Sequence, residues 1–127
     1  MPTALEVKCA IENRHDKGYV MLKRLWRGWT APAKADAYEE LLRSTIFPGI
    51  LARKIKGFRS IELLRRDLGA EVEFITLMTF DDRDSVVRFA GPDWEVSVVP
   101  PAARAVLARF DDKAAHYEER IPPASPV

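Results

Sequence analysis

Apolar and polar positions along the chain change period several times. Val20–Thr30 (VMLKRLWRGWT) mixes branched, long and aromatic side chains with no turn residue before Gly28, the composition of a strand. Tyr38, Leu41, Leu42, Thr45 and Ile46 then recur at i, i+3, i+4, i+7 and i+8, which is one face of a helix. Thr30-Ala31-Pro32 supplies its start, since proline is tolerated in a first helical turn. Pro48 lacks the N–H that would bond Ser44, so the helix is expected to kink or break there. Phe58–Arg66 and Glu71–Phe80 read as two strands joined by Asp67-Leu68-Gly69-Ala70, an antiparallel hairpin with Gly69 free to take a positive φ. Ser85–Ala90 reads as a short helix, capped by Asp81, Asp82 or Asp84 and stopped by Gly91-Pro92. Asp93–Val99 follows neither period, Ala102–Ala108 reads as helix after Pro100-Pro101, and Ala114–Ile121 reads as the last strand.

The order β-α-β-β-α-β is the split βαβ, or ferredoxin-like, plan: α+β, an antiparallel sheet with helices on one face. Residues 20–121 would form this domain. Residues 1–19 show no clear period and read as an N-terminal extension, while 122–127 read as a disordered proline-rich tail. In the third strand Val72, Phe74, Thr76, Met78 and Phe80 point one way, and Ile75 and Leu77 point the other. Helices can cover only one of those faces, and a solvated face would be polar. The expected cover for the second face is the sheet of another copy, giving a homodimer.

Composition narrows the function without deciding it. At 127 residues the chain has room for one domain with an ordinary core. A net charge of +1 lacks the basic excess of a nucleic-acid binder. No run of about 18 apolar residues offers a membrane span. One cysteine, Cys9, forms no internal disulfide, so the cytoplasm is the expected compartment. Two histidines at no ligand spacing, and no glycine-rich phosphate loop, give metals and nucleotide cofactors no support, so the expectation is no metal and no cofactor.

The runs RLWRGWTAPAKADAYEELL, TIFPGI and VVPPAARAVLARFDDKAAHYE, with the hairpin between them, resemble the antibiotic biosynthesis monooxygenase-like family of the dimeric α/β barrel superfamily. The resemblance covers about Met21 to Arg120. It implies two split βαβ subunits whose sheets face each other, and a cofactor-independent oxygenase or isomerase acting on a small aromatic or carbonyl compound. The alternative is a non-catalytic, small-ligand-binding or structural homodimer. The chain departs from the heme-degrading branch of that superfamily. Its sole asparagine is Asn13, late strand three holds Met78-Thr79-Phe80 with no tryptophan, and Ser85–Ala90 has no histidine.

Six residues stand out as site candidates. His116 is the titratable group suited to acid–base work near neutral pH, with Tyr117 as its neighbour. Being adjacent on a strand, they point to opposite faces, so one is a structural or interface residue. Trp26 is placed to wall an aromatic pocket, and Trp94 to act as a lid; for each the plainer reading is packing. Arg24 and Arg27 lie on opposite strand faces. Each reads either as an anchor for a ligand carboxylate or enolate, or as half of an intersubunit ion pair with Glu62 or Glu73.

Overall fold

The computed structural model describes residues 20–126. The N-terminal extension, with Cys9, Asn13 and His15, lies outside the described residues. The elements in chain order are β1 (Leu22–Thr30), α1 (Ala35–Leu41), a π-helical turn (Leu42–Ile46), α2 (Phe47–Ala52), β2 (Phe58–Asp67), β3 (Val72–Phe80), α3 (Arg83–Ala90), α4 (Pro101–Val106), β4 (Arg109–Phe110) and β5 (Ala115–Glu118). All strand pairs are antiparallel, in the order β2-β3-β1, with β4 and β5 sharing the free edge of β1. This is the ferredoxin-like α+β plan.

The β2–β3 turn forms as the sequence indicates. Gly69 sits at φ +87°, Asp67 Oδ1 accepts from Gly69 N at 2.8 Å, and Leu68 N donates to Glu71 O at 2.9 Å. Helix α3 starts where Asp82 caps it, its carboxylate accepting from Ser85 N at 2.9 Å.

Two expectations need correction. The first concerns Pro48. The helix neither kinks apart nor stops but widens by one π turn, in which Phe47 N–H donates to Leu42 O five residues back. Pro48 then falls in the first turn of α2, where an amide would lack an intrahelical acceptor anyway. The second concerns the last strand, expected at Ala114–Ile121: it forms at Ala115–Glu118, and a further short strand, Arg109–Phe110, precedes it on the same edge. Gly28 pairs with Phe110 and Leu25 with Ala115, so two residues of β1 face four of the returning chain. The excess loops out at Asp111–Ala114 and binds the loop after α3, through Ser97 N to Asp112 O, Ala114 N to Glu95 O and a bridge between Val96 and Lys113.

The core lies between one sheet face and the helices. Val72, Phe74, Met78 and Phe80 of β3 are almost fully buried there. Tyr38 and Leu42 pack on Val72 and Phe74, while Val86 and Phe89 pack on Met78 and Phe80. The opposite sheet face carries Leu25, Ile75 and Leu77, partly covered, together with Leu64 and Tyr117, which are 49% and 56% exposed. Strand three therefore has two apolar faces and one layer of helices. Among the described residues no helix is long and apolar enough to cross a membrane.

Candidate functional site

Arg24 lies in the middle of β1, opposite Met78 on one side and His116 on the other, which places it on the helix-covered face. It is 3% exposed. Its guanidinium donates through Nη1 to Trp94 O and through Nη2 to Val96 O at 2.9 Å, and Nη1 lies 3.1 Å from His116 Nε2. The Phe89 ring sits 5.5 Å below it. None of these partners is an anion. Burial draws its pKa down to about 10, so the group stays charged at neutral pH. Three of its five N–H donors are engaged by those contacts, which leaves two. A buried charge with no counter-ion is costly and rare in a native core.

The space beside Arg24 is a slot between β1, β3 and the helices. It is lined by Trp26, Tyr38, Thr76 and Phe47 with Ile46 and Ile50 among others. It opens to solvent, and its cavity volume is about 50 Å³. That is room for only a water or two at liquid density (about 30 Å³ each), so the slot as it stands is narrow. The π turn shapes it. After Tyr38 and Leu42 the lining continues at Ile46 and Ile50, a spacing of four rather than 3.6, because the extra residue delays the face. Thr45, expected on that face, is exposed instead.

The remaining wall is the loop between α3 and α4. Trp26 Nε1 is shared between Ser97 Oγ and Asp111 O, both at 2.8 Å, and the Ser97 hydroxyl also donates to Asp111 O. Trp94 packs between the Arg83 guanidinium, 4.8 Å from its ring, and the His116 ring at 4.3 Å. Gly28 belongs to this arrangement. A Cβ there would come within 2.9 Å of Leu107 and 3.2 Å of the Trp26 ring.

His116 is half-buried and faces the slot side; Tyr117, opposite Lys23, faces the other side of the sheet. The expectation that His116 exchanges protons near neutral pH is corrected. Burial and then the Arg24 charge lower its pKa from 6.5 to about 4. A guanidinium only donates, so Nε2 is the acceptor and the neutral ring carries its proton on Nδ1. Within one chain neither Arg24 nor Arg27 pairs with Glu62 or Glu73. Arg24 shares no face with Glu62 or Glu73. Glu73 pairs with Arg66 at 2.7 Å, and Arg27, on the outer face, pairs with Asp111 at 2.9 Å. That hydrogen bond to Asp111 raises the Arg27 pKa. The structure thus brings Arg24, Trp26, His116 and Trp94 together and places Arg27 and Tyr117 on the outer face. Tyr38, Thr76 and Ser97 were missed as site residues. Tyr38 alone carried a signal, as a phenol on a mainly apolar helix face.

Two solved structures share this architecture. One is a Bacillus cereus protein assigned to the antibiotic biosynthesis monooxygenases, with a TM-score of 0.53 and 10% identity over 85% of this chain and 98% of its own. The fold is of the antibiotic biosynthesis monooxygenase type. A conserved protein from Methanosarcina mazei Go1 superposes equally well, at a TM-score of 0.53 and 12% identity over 85% of this chain and 99% of its own. No protein-family model and no curated protein matches the sequence.

Proposed function

We propose that this protein is a homodimeric, antibiotic biosynthesis monooxygenase-like protein whose slot takes a small planar aromatic anion and oxidises it with O2 without a cofactor. The observation that carries this reading is Arg24: a buried guanidinium with two free donors and no counter-ion, at the wall of an apolar slot. Such a charge is complementary to a phenolate or enolate, the electron-rich form of an aromatic or carbonyl compound that reacts with O2. For a phenol taken to a quinone, one oxygen atom ends on a ring carbon and the other in water, and the ring supplies the electrons that reduce both. Trp26 walls the slot. His116 acts as a positioning residue, holding Nη1 of Arg24, and Trp94 packs against the His116 ring behind it. The second copy covers the outer face formed by Leu25, Leu64, Ile75, Leu77 and Tyr117.

One observation favours the non-catalytic reading. No histidine or carboxylate lines the slot, and His116, behind Arg24, has its pKa lowered by burial to about 4. A reaction that needs an enzymic base, such as a keto–enol isomerisation, is therefore less well served than capture of a compound already ionised.

The test uses nitrophenol, whose anion is coloured. Binding beside Arg24 should favour the anion, seen as extra absorbance of the yellow form at constant pH. Arg24→Met should abolish the effect. Oxygen uptake with single-ring phenols, in metal-free buffer, then separates the two readings. Anion binding with no uptake for any of them supports a binder. No anion binding at all would sink the proposal.

A further inference from the structure

The Tyr38 hydroxyl has no place in the anion-capture argument, and its surroundings are unusual. Tyr38 is 1% exposed and packs edge-on against Phe74, with ring centroids 4.9 Å apart. Its phenol donates to and accepts from nothing among the described residues. The Tyr38 oxygen is not among the fully enclosed side-chain atoms that lack a hydrogen bond, so it keeps some open space beside it. The space that Tyr38 lines is the slot. Burial drives its pKa well up, so the hydroxyl is protonated and can donate.

A phenol so deeply buried would normally find a partner, because an unpaired buried hydroxyl costs stability that phenylalanine would not. Phenylalanine would keep the ring, the contact with Phe74 and the helix face. Packing therefore accounts for the ring of Tyr38 and leaves its oxygen unexplained. Thr76, mid-way along β3, lines the same slot and offers a second hydroxyl with no hydrogen bond among the described residues.

We infer that Tyr38 is a specificity-determining residue of the slot, donating to a second, hydrogen-bond-accepting oxygen on a ligand whose oxyanion is held by Arg24. The inference rests on the slot being the ligand site. It narrows the ligand from any planar anion to a single-ring or similarly narrow compound carrying an oxyanion and a separate carbonyl-like oxygen. Sites built to hydrogen-bond a ligand oxygen discriminate strongly against analogues that lack it, because the buried donor is otherwise left unpaired.

Two probes isolate this contact. Nitrophenolate is a planar anion with acceptor oxygens at its far end; pentafluorophenolate is a planar anion with none. Both are titrated into wild type, Tyr38→Phe and Thr76→Val, and the melting temperature of each variant is recorded. The expected result is that Tyr38→Phe weakens nitrophenolate binding about 10-fold and leaves pentafluorophenolate binding unchanged. Its melting temperature should hold or rise, which a hydroxyl with a structural partner would not allow. Three outcomes overturn the assignment. The ratio of the two affinities does not move in Tyr38→Phe; or it moves in Thr76→Val alone; or Tyr38→Phe melts lower by several degrees. If the wild type binds neither probe, the slot is not an anion site, and the ligand reading fails together with this inference.

Discussion

At the scale of single residues, His116 shows how a neighbour changes a side chain's chemistry. Its folded pKa of about 4 lies below the ordinary 6.5. A histidine that resists protonation when folded contributes stability above its unfolded pKa, and that contribution is lost as pH falls toward the folded value. Thermal stability should therefore decline between about pH 6.5 and pH 4 from this source. In His116→Gln, which stays neutral throughout, the decline over that window should be shallower. Melting curves at pH 7 and pH 5 on both proteins check this, and equal slopes would show that His116 is not the titrating group. Gly57 gives a sharper prediction. It sits at φ +87°, and a Cβ there would fall 1.8 Å from Ser85 Oγ, the hydroxyl that bonds the Asp82 cap. Gly57→Ala should cost about 2 kcal/mol or more, from left-handed strain and displacement of the cap together. Urea unfolding measures it. A variant within about 0.5 kcal/mol of wild type would mean that this junction relaxes freely.

Among the elements, the π turn and the short strand β4 were the parts that the sequence did not disclose. The apolar period of Tyr38, Leu41 and Leu42 was legible, as were the hairpin at Asp67–Ala70 and the cap before α3, because each rests on contacts within a few residues. What Pro48 does was not legible. A proline removes one donor, but whether the helix stops, kinks or widens depends on what the downstream turn packs against. Here Ile46, Phe47 and Ile50 pack toward the slot, and the wide turn lets them reach it. The loop between β4 and β5 likewise depends on long-range partners, Trp26 and the loop at Glu95–Ser97. The same reasoning explains the site. His116 and Arg24 are 92 positions apart, and only the register of β1 against β5 makes them neighbours. Restoring an amide at residue 48 tests the role of the turn. Pro48→Ala should leave stability within about 1 kcal/mol, since the proline occupies a first-turn position. If the turn anneals into regular α-helix, Ile46 and Ile50 leave the slot and nitrophenolate binding should fall several-fold. Hydrogen exchange at Leu42–Phe47 reports whether the bonding changed. Unaltered exchange together with unaltered affinity would show that packing, not the proline, sets the wide turn.

On the scale of the whole molecule, the decisive feature is the sheet face that no helix among the described residues covers. Along β3 its residues are Glu73, Ile75, Leu77 and Thr79, beside Leu25 on β1 and Leu64 on β2. Charged pairs frame the apolar centre: Arg66 with Glu73 at 2.7 Å and Arg27 with Asp111 at 2.9 Å. A closed apolar centre with a polar rim is the anatomy of a protein interface, and an antiparallel sheet left in water would alternate differently. A second copy is the occupant that needs no further assumption, since its own face carries the same problem. Wild type should therefore sediment as a dimer at low micromolar concentration. Leu77 is the place to test this, being central on β3 and outward-facing, away from the slot. Leu77→Lys puts a charge where the partner's apolar residues would close over it, and an interface-buried unpaired charge is among the costliest single changes. The dissociation constant should rise on the order of 100-fold, and the melting temperature should fall with it, because dimer and fold share this surface. Arg24 and Tyr38, on the opposite face of the same sheet, are not touched by the change. If Leu77→Lys sediments as a well-folded monomer that still shifts nitrophenol toward its anion, the slot is complete in one subunit. A wild type that is itself a stable monomer would rule out the sheet-to-sheet barrel, and the apolar outer face would then need another partner.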